Sequence, residues 1–429
     1  METKTLVVGL DDTDSRTRGM CTTYLATVVA EEIDGFATVE GRYLTRLNPN
    51  IPYKTRGNAC LSLRVETDQP ERVRETVLEK VEEEAVFDDD DTNPGVAFLE
   101  LEVDDKIPEG LREYTLETVR KVRRLEEAVE TAEEFGVETH GWKNRRGVIG
   151  AVAAVGAPGL LDDPGTDHTY ELIAYRNRGR WDEKRQVGYD SFFVADSETY
   201  PETWDTVDTN VDGVVAVPKT DGPVVYGLRG SFGGVWRANS YVETGEVDRL
   251  SVFKTNQGTD MHLTEARASE TQDMRSYVVE GEVICEPVTV EGGHVFFTVE
   301  DDVPLTSAAF EPTKSFRDKI RDLREGDEVT VCGGVKDGVL NVEKLGVRSL
   351  NDRRLVNPTC DCGDGKRMKS AGRNQGYRCR DCGATAEEKI EVEVERLLEE
   401  GWHEVPPSAR RHISKPLVRG GFEEPHPSR

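Results

Sequence analysis

Four cysteines near the C-terminal end of the chain have the spacing of metal ligands. Cys360 and Cys362 form a C-x-C pair, and after sixteen residues Cys379 and Cys382 form a C-x-x-C pair. Four thiolates can bind zinc in a tetrahedral arrangement. They leave no open coordination position, so such a site is structural. The alternative is a chance cluster of buried cysteines, but clustering within one short segment of a long chain favours a metal. The sequence therefore predicts a structural Zn2+ site at these four residues.

The cysteine pairs lie in a basic segment of an otherwise acidic chain. From Arg353 to Arg380 there are eight basic residues and two acidic ones. Local positive charge of this kind binds nucleic-acid phosphates. Residues 405–422 contain four basic residues and no acid, and we interpret them as a basic tail.

An acidic loop follows the first apolar run of the chain. Residues 6–10 are the strand-like LVVGL, and the loop DDTDS comes directly after it. In α/β folds, ligands bind at the carboxyl ends of strands. Mg2+ prefers oxygen ligands and is often shared between carboxylates and substrate phosphates. The loop therefore predicts a magnesium site at Asp11, Asp12 and Asp14; the alternative is an acidic turn on an acidic surface.

Two later segments are suited to binding phosphate. The run RGMCTT, residues 18–23, begins a helix whose free amides attract anions, and Thr22 offers a hydroxyl in that field. The loop RLNPNIPYKTRGN, residues 46–58, presents Lys54 and Arg56 on a path stiffened by two prolines. Cations held in this way bind phosphate, and a solvated surface loop is the alternative. No GxxxxGK[ST] motif occurs, which excludes a P-loop enzyme.

Weaker candidates lie in the middle of the chain. Arg229 stands between glycines in YGLRG and is a candidate phosphate clamp. Asp205 and Asp208 in TWDTVD are candidates for holding a cation or a cationic amine, and a plain turn is the more ordinary interpretation. His168 is expected to be a strand-end histidine rather than a base.

Periodicity places these residues on a mixed set of elements. Strands at about 37–47 and 60–65, helices at about 19–32 and 70–84, and one long charged helix over 110–140 indicate an α/β or α+β unit. The run DDDDTNPG is expected to be a turn or a solvated loop rather than a site. From Arg146 the apolar GVIGAVAAVGA is a buried helix or strand, and residues 265–273 are interpreted as a polar linker.

The last part of the chain begins with four strand-like segments between residues 276 and 347. One helix, KSFRDKIRDL, lies between the second and third of these segments, which is the pattern of an OB-fold barrel. The cysteine segment comes next. Residues 387–401, EEKIEVEVERLLEEG, are predicted to form a helix before the basic tail.

The composition bounds the class of protein. A chain of 429 residues is expected to form three or four domains. The net charge of −28, with acids in every segment, indicates a salt-tolerant surface of the kind expected in a very saline cytoplasm. In molar salt the Debye length is roughly 3 Å, so overall acidity does not exclude a nucleic-acid partner. No apolar run of membrane-spanning length and no secretory leader occur, so we expect a cytoplasmic protein. We expect no obligate protein partner.

Taken together, these motifs resemble the archaeal tRNA-isoleucine agmatidine synthetases, the TiaS family. The matching pieces are DDTDS, RGMCTTYL, RLNPNIPYKTRGN, RRGVIGAVAAVGA, DHTYELIAYR, PVVYGLRG and the late RMKS and CxxC. The resemblance implies a multidomain α+β fold: a kinase-like α/β catalytic domain at 1–145, a ferredoxin-like domain at 146–264, an OB-fold at 274–350, a zinc ribbon at 353–386, and a C-terminal helix and basic tail at 387–429.

The resemblance also implies a reaction. ATP is consumed while agmatine replaces the oxygen at position 2 of the wobble cytidine in the CAU anticodon of isoleucine tRNA. The cytosine is first phosphorylated, and Thr22 is the threonine that becomes autophosphorylated. The implied cofactors are ATP, Mg2+ and structural Zn2+. The implied contacts are catalysis and Mg2+ at Asp11, Asp12 and Asp14, ATP or phosphate at Lys54, Arg56, Asn58 and Arg229, and tRNA at Arg367, Lys369 and Arg373.

Two other functions compete with this interpretation. A non-catalytic protein that binds single-stranded nucleic acid explains the OB-fold and the zinc ribbon but gives the two N-terminal loops no purpose. A phosphotransferase acting on a small nucleotide explains those loops but leaves the basic ribbon without a purpose.

Overall fold

A computed structural model describes residues 2–54, 57–245, 247–363 and 365–420. The predicted phosphate ligand Arg56 lies outside the described residues. Among the helices of the described ranges, none combines the length and the apolar character needed to cross a membrane.

The first unit is an antiparallel sheet with helices on both faces. Strand β1 is buried at six consecutive positions because its two faces are both covered. Leu6 and Val8 pack with helices α1 and α2, whereas Val7 packs with α3, α4 and α5, as the alternation of side chains along a strand requires. The elements are β1 (Lys4–Asp11), α1 (Thr22–Ile33), β2 (Thr38–Arg46), β3 (Ala59–Thr67), α2 (Pro70–Glu84), β4 (Gly95–Glu102), α3 (Glu109–Arg120), α4 (Leu125–Glu134) and β5 (Glu138–Gly141).

The prediction of one long helix over 110–140 is wrong. Helix α3 ends at Arg120, and α4 begins at Leu125 after a reversal of the chain. The side chain of Glu127 accepts a 2.7 Å hydrogen bond from the Arg124 amide and so caps the second helix. The break lets both short helices pack apolar residues against α5 and the sheet, and the dense charge of this stretch conceals it in the sequence.

The second unit continues the same sheet. Its elements are α5 (Gly147–Leu161), β6 (Thr169–Tyr175), α6 (Tyr189–Thr199), β7 (Thr203–Trp204), β8 (Val207–Asp208), β9 (Gly213–Val214), β10 (Val224–Gly230), α7 (Phe232–Asn239) and β11 (Arg249–Thr255). Strand β11 pairs in parallel with β2, so nine strands form one sheet in the order β5-β4-β1-β3-β2-β11-β6-β10-β7. The run GVIGAVAAVGA is a helix, α5, and it packs on the first unit. The domain boundary between residues 145 and 146 stays a prediction.

Residues 263–349 form a closed barrel. The elements are β12 (Leu263–Glu265), β13 (Ser276–Val283), β14 (Val288–Thr289), β15 (Val295–Glu300), β16 (Pro304–Ala309), α8 (Phe316–Arg321), β17 (Glu328–Lys336) and β18 (Val339–Ser349). The ring β13-β17-β18-β16-β15 closes through the pairing of β13 with β15, and α8 lies between its third and fourth strands along the chain. This confirms the predicted OB-fold. The linker prediction for 265–273 is wrong at its start, because β12 pairs with β13 and Ala268 is buried.

The zinc ribbon follows the barrel, and the helix predicted at 387–401 is absent from the described residues. The elements are β19 (Arg353–Val356), β20 (Lys369–Ser370), β21 (Tyr377–Arg378), β22 (Thr385–Ala386), β23 (Ile390–Glu393) and β24 (Gly401–Glu404). Strand β23 pairs with β19, and β24 joins barrel strand β18. The sequence IEVEVE alternates with period two and is rich in β-branched residues, which favours a strand over a helix.

Residues 405–420 are not a free basic tail. Val405, Ile413 and Leu417 are buried, and the backbone of Ile413 accepts hydrogen bonds of 3.1 and 3.0 Å from the amides of Thr259 and Asp260. The basic side chains of this segment pair with acids of the preceding units, such as Arg410 with Asp205. The positive charge therefore neutralises internal carboxylates, which the local composition could not show.

Candidate active site

A cavity of about 550 Å³ opens at the carboxyl end of β1. Its volume is typical of a small-molecule site. The first unit, the second unit and residues 405–420 all contribute to its walls. The structure brings together these predicted site residues around it: Asp11, Asp12, Asp14, Thr22, Lys54, Asn58 and Arg229.

The three carboxylates of the acidic loop form one side of the cavity. Asp11 lies against α5, where any side chain on Gly150 would collide with its carboxylate. Asp12 has a left-handed backbone (φ 55°), and its Oδ2 accepts a 2.9 Å hydrogen bond from Arg146 Nη2. Burial, followed by the charge of Asp12, raises the pKa of Asp11 well above its usual range. Burial also raises the pKa of Asp12, against the opposing charge of Arg146. Such a cluster favours a bound cation that keeps the carboxylates ionised.

The acidic loop is held by the turn predicted to be solvated. Thr92 Oγ1 donates a 2.6 Å hydrogen bond to the backbone carbonyl of Asp14, and Asp89 accepts one from the Ser15 hydroxyl. Thr92 and Asn93 are 0% and 2% exposed. The turn is thus part of the support of the site. Its run of four aspartates indicates solvent exposure and conceals the two buried residues that follow.

Thr22 is the first residue of α1 and faces the cavity. It is 6% exposed, and its hydroxyl accepts a 3.0 Å hydrogen bond from Thr13 Oγ1. The N-terminus of a helix carries unpaired amides and a partial positive charge. The hydroxyl therefore lies in a field that favours a phosphoryl group.

Basic side chains form the opposite wall. Burial, reinforced by the charges of Arg411 and Arg16, lowers the pKa of Lys54 to about 8. Asn58 shapes the loop that carries Lys54, because its Nδ2 donates a 2.9 Å hydrogen bond to the backbone of Asn48. The loop thus closes on itself below the lysine.

Two arginines share one buried carboxylate in this wall. Arg46 Nη2 lies 3.7 Å from Glu171 Oε2, and Arg229 Nε lies 3.3 Å from Glu171 Oε1. Arg229 is also 3.9 Å from Asp205, which in turn pairs with Arg410 of the C-terminal segment, so Arg229 belongs to this ion-pair network as well as lining the cavity. The sequence motifs suggested Arg229. Glu171 lies inside the matching segment DHTYELIAYR but was not singled out, because it precedes the apolar part of an ordinary strand.

The C-terminal segment closes the cavity. Ser408 and His412 line it, and the Ser408 amide donates a 3.1 Å hydrogen bond to Asp208 Oδ2. Asp208 is fully buried and accepts a second backbone hydrogen bond, from Asn210, so it is more than an ordinary surface turn. His412 lies far along the chain from the acidic loop and the basic wall, and no local pattern could have indicated it.

The four cysteines of the ribbon come together as predicted. Their sulfurs all lie within 4.8 Å of one another, with Cys360 and Cys382 at 3.3 Å and Cys362 and Cys379 at 3.6 Å. The backbone amides of Cys382 and Asp381 lower the pKa of Cys379 to about 6, whereas hydrogen bonds with the neighbouring cysteines raise the pKa of Cys362, because the four sulfurs share one site. The short C-x-C pair and the C-x-x-C pair thus bring four sulfurs together in a site that fits structural zinc.

The three predicted tRNA ligands lie on the ribbon surface. Arg367, Lys369 and Arg373 are all exposed, and Lys369 begins β20. Arg367 also donates a 3.1 Å hydrogen bond to the backbone of Asn357. Their exposure leaves them able to meet a large polyanion.

Comparison with known proteins identifies the family. Three family models match: the TiaS TCKD domain at residues 7–70, the TiaS FLD domain at 145–262 and the TiaS C-terminal zinc ribbon domain at 357–398. An isoleucine-tRNA 2-agmatinylcytidine synthetase TiaS from Methanosarcina mazei is 46% identical over 421 residues, which cover 96% of this chain and 97% of the relative. The corresponding protein of Haloquadratum walsbyi is 41% identical, with 98% of each chain covered.

Solved structures agree with this. A crystal structure of TiaS in complex with isoleucine tRNA and ATP has a TM-score of 0.89 and 43% identity, covering 99% of this chain and 100% of that one. A crystal structure of TiaS with the same tRNA, AMPCPP and agmatine has a TM-score of 0.86 and 40% identity over the same shares. The similarity extends over nearly the whole length of the chain, and the chain belongs to the TiaS family.

Proposed function

We propose that this protein is an ATP-dependent ligase that joins agmatine to position 2 of the wobble cytidine in the CAU anticodon of isoleucine tRNA. The observation that carries the proposal is the cavity, in which three carboxylates, a helix-terminal hydroxyl and a basic wall meet in a member of the TiaS family. Because its substrates are tRNA and ATP, we expect the activity in the cytoplasm.

The chemistry requires activation before substitution. The oxygen on C2 of cytosine is a poor leaving group, so it first receives a phosphoryl group derived from ATP. The primary amine of agmatine then attacks C2, the C2–O bond breaks, and the oxygen departs with the phosphate while the amine loses a proton. Phosphoryl transfer depends mainly on positioning and on charge neutralisation.

The two walls of the cavity divide these tasks. Asp11, Asp12 and Asp14 are the residues that would hold Mg2+, and the metal would neutralise phosphate charge when bound. Lys54 and Arg229 are proposed to bind the phosphates from the other side, and Asn58 keeps the loop of Lys54 closed. Arg56, which lies outside the described residues, stays a predicted phosphate ligand. Thr22 is proposed as the acceptor of the protein-bound phosphoryl group, because its hydroxyl lies at the N-terminus of α1 beside the acidic loop.

The tRNA is proposed to reach the cavity with its wobble base unstacked. An anticodon loop is single-stranded, so taking one base out of its stack has a small cost. The exposed Arg367, Lys369 and Arg373 of the zinc ribbon are proposed to bind tRNA phosphates at a second place, outside the cavity. A phosphotransferase acting on a small nucleotide has no use for this second surface.

The test is a reconstituted reaction. The protein is incubated with ATP, Mg2+, agmatine and CAU-anticodon isoleucine tRNA in molar KCl, and the nucleosides are analysed by mass spectrometry. An agmatine-dependent mass gain on cytidine is expected. The matched controls omit agmatine or use a tRNA with uridine at the wobble position. Turnover of ATP without modified cytidine would instead support a phosphotransferase, and tRNA binding without either would support a non-catalytic protein.

A further inference from the structure

His412 is fixed in the active-site cavity by a buried backbone. Its carbonyl accepts a 2.8 Å hydrogen bond from the Gly258 amide, and the next residue, Ile413, is 2% exposed in the core. The imidazole itself is open to the cavity, and it lies close to the loop that carries Lys54, within van der Waals reach of Gly57. A rigid segment therefore presents a titratable group to the place where phosphates are proposed to bind.

Several cations line the same cavity as this imidazole, among them Arg229 on β10, Arg46 on β2 and Lys54 on the 46–58 loop. The charge of Arg229, then desolvation by the cavity walls, then the charges of Arg46 and Lys54 hold the pKa of His412 well below its usual range. A carboxylate of that wall, Glu171, is already shared between Arg46 and Arg229. Other charged groups of the cavity are the carboxylates Asp11, Asp12, Asp14 and Asp208 and the cations Lys121, Arg123, Arg146, Arg185 and Lys219. Those of the segment that carries His412 are Arg410, Arg411, Lys415 and Arg419.

A polyphosphate bound against this wall reverses the balance. It brings several negative charges into the cavity and pairs with the same cations that keep the imidazole neutral. An anion within about 4–6 Å favours the charged form of a histidine. We infer that His412 is an additional phosphate ligand, which takes up a proton from solvent when the ATP polyphosphate binds and then donates a hydrogen bond to it. The proton returns to solvent when the phosphates leave. This inference rests on the proposed ATP site.

The consequence is a proton-linked affinity for nucleotide. Because the pKa of the imidazole is higher in the complex, binding strengthens as the pH falls through the bound-state pKa, by up to about tenfold per pH unit. A permanent cation at the same position would bind phosphate without this dependence. A neutral side chain that cannot titrate would also lack it, and would bind more weakly at low pH.

The experiment measures proton uptake by calorimetry. Mg2+ and α,β-methylene-ATP are titrated into the full-length protein at pH 7 in three buffers of different ionisation enthalpy. We expect the wild type to take up more protons than His412→Gln and His412→Arg, by a difference between zero and one proton per site. His168→Gln, outside the cavity, should behave as the wild type. Protonation of the nucleotide itself is common to all four proteins and cancels.

The outcomes are distinct. Equal proton uptake by the wild type and His412→Arg, with both binding the analogue, would overturn the inference while leaving the ATP site in place. Absence of any binding by the wild type would overturn the ATP site and, with it, the role of His412. If His412→Gln binds the analogue too weakly to titrate, comparison of the wild type with His412→Arg still shows whether His412 takes up a proton.

Discussion

Thr13 donates a 3.0 Å hydrogen bond to the hydroxyl of Thr22. Both side chains are buried, at 0% and 6% exposure, and the backbone of Thr13 is itself fixed by the Val86 amide at 3.1 Å. Because Thr13 supplies the proton of this bond, the Thr22 oxygen is oriented and its own proton points elsewhere. An acidic-loop residue thus positions the proposed phosphoryl acceptor.

Thr13→Val should slow phosphorylation of Thr22 by about tenfold, because loss of one oriented hydrogen bond corresponds to roughly 1–1.5 kcal/mol. The rate is measured by intact-protein mass after addition of ATP and Mg2+. Thr13→Ser keeps the hydroxyl and should remain near the wild-type rate. Phosphorylation of the valine variant at the wild-type rate would show that the bond does not position Thr22.

Asp12→Asn and Thr22→Ala should each lower agmatidine formation by at least about 100-fold. The first removes a charge from the acidic loop and weakens the bond to Arg146, and the second removes the proposed acceptor. Far-UV circular dichroism should be unchanged. Asp90→Asn is the matched control, since Asp90 lies in the neighbouring turn and outside the cavity. Full activity of either variant would remove that residue from the catalytic machinery.

The sequence was most informative where the signal is local. The spacing of the four cysteines, the strands around the acidic loop and the barrel pattern depend on residues close together in the chain, and the structure agrees with each. The prediction of secondary structure from periodicity failed at two places. The charged stretch after Glu109 has helical composition on both sides of a break that only the Glu127 cap reveals, and IEVEVE pairs as β23 although glutamate favours helices.

The rest of the site depends on contacts between distant segments. His412 reaches the cavity because Ile413 is buried between two units, and Glu171 matters because two arginines from other strands converge on it. Neither was singled out from the sequence, since each side chain is ordinary in its own element. The basic composition of residues 405–420 was misleading for the same reason, because the acids that it neutralises lie elsewhere in the chain.

The zinc ribbon should bind one equivalent of zinc, and the double variant Cys379→Ser, Cys382→Ser should bind none. Two thiolates of a four-sulfur site are too few for structural zinc. Metal content is measured on purified protein, with Cys285→Ser, an isolated exposed cysteine, as the control. Because the ribbon lies outside the cavity, binding of α,β-methylene-ATP should persist while tRNA modification falls. Loss of nucleotide binding would contradict this separation.

Arg410→Leu should destabilise the protein by about 3 kcal/mol or more. Arg410 is nearly inaccessible and pairs with Asp205 and with Glu404, so its removal takes the directly paired cation away from two buried carboxylates. The measurement is thermal unfolding in molar KCl. Arg411→Leu is the control, because Arg411 is partly exposed and should contribute less than about 1 kcal/mol. A similar loss of stability in both variants would show that burial of the Arg410 ion pairs is not the cause of the destabilisation.

Glu404→Gln should change how stability depends on pH. Burial raises the pKa of Glu404 to about 7, although Arg410 and Lys344 oppose the shift. A carboxyl group whose pKa is higher in the folded state stabilises the fold when protonated. That contribution is complete below about pH 4.3, the ordinary value for glutamate, and is lost as the pH rises through about 7.

The wild type should therefore lose stability relative to Glu404→Gln between about pH 4.3 and 7, by up to about 3 kcal/mol. The glutamine cannot ionise, so subtracting the two unfolding curves removes every other titrating group that they share. Chemical denaturation at several pH values in constant salt measures the difference. A wild type that gains stability over the variant as the pH rises would mean that Arg410 and Lys344 outweigh burial. In that case Glu404 is a carboxylate held ionised by its partners.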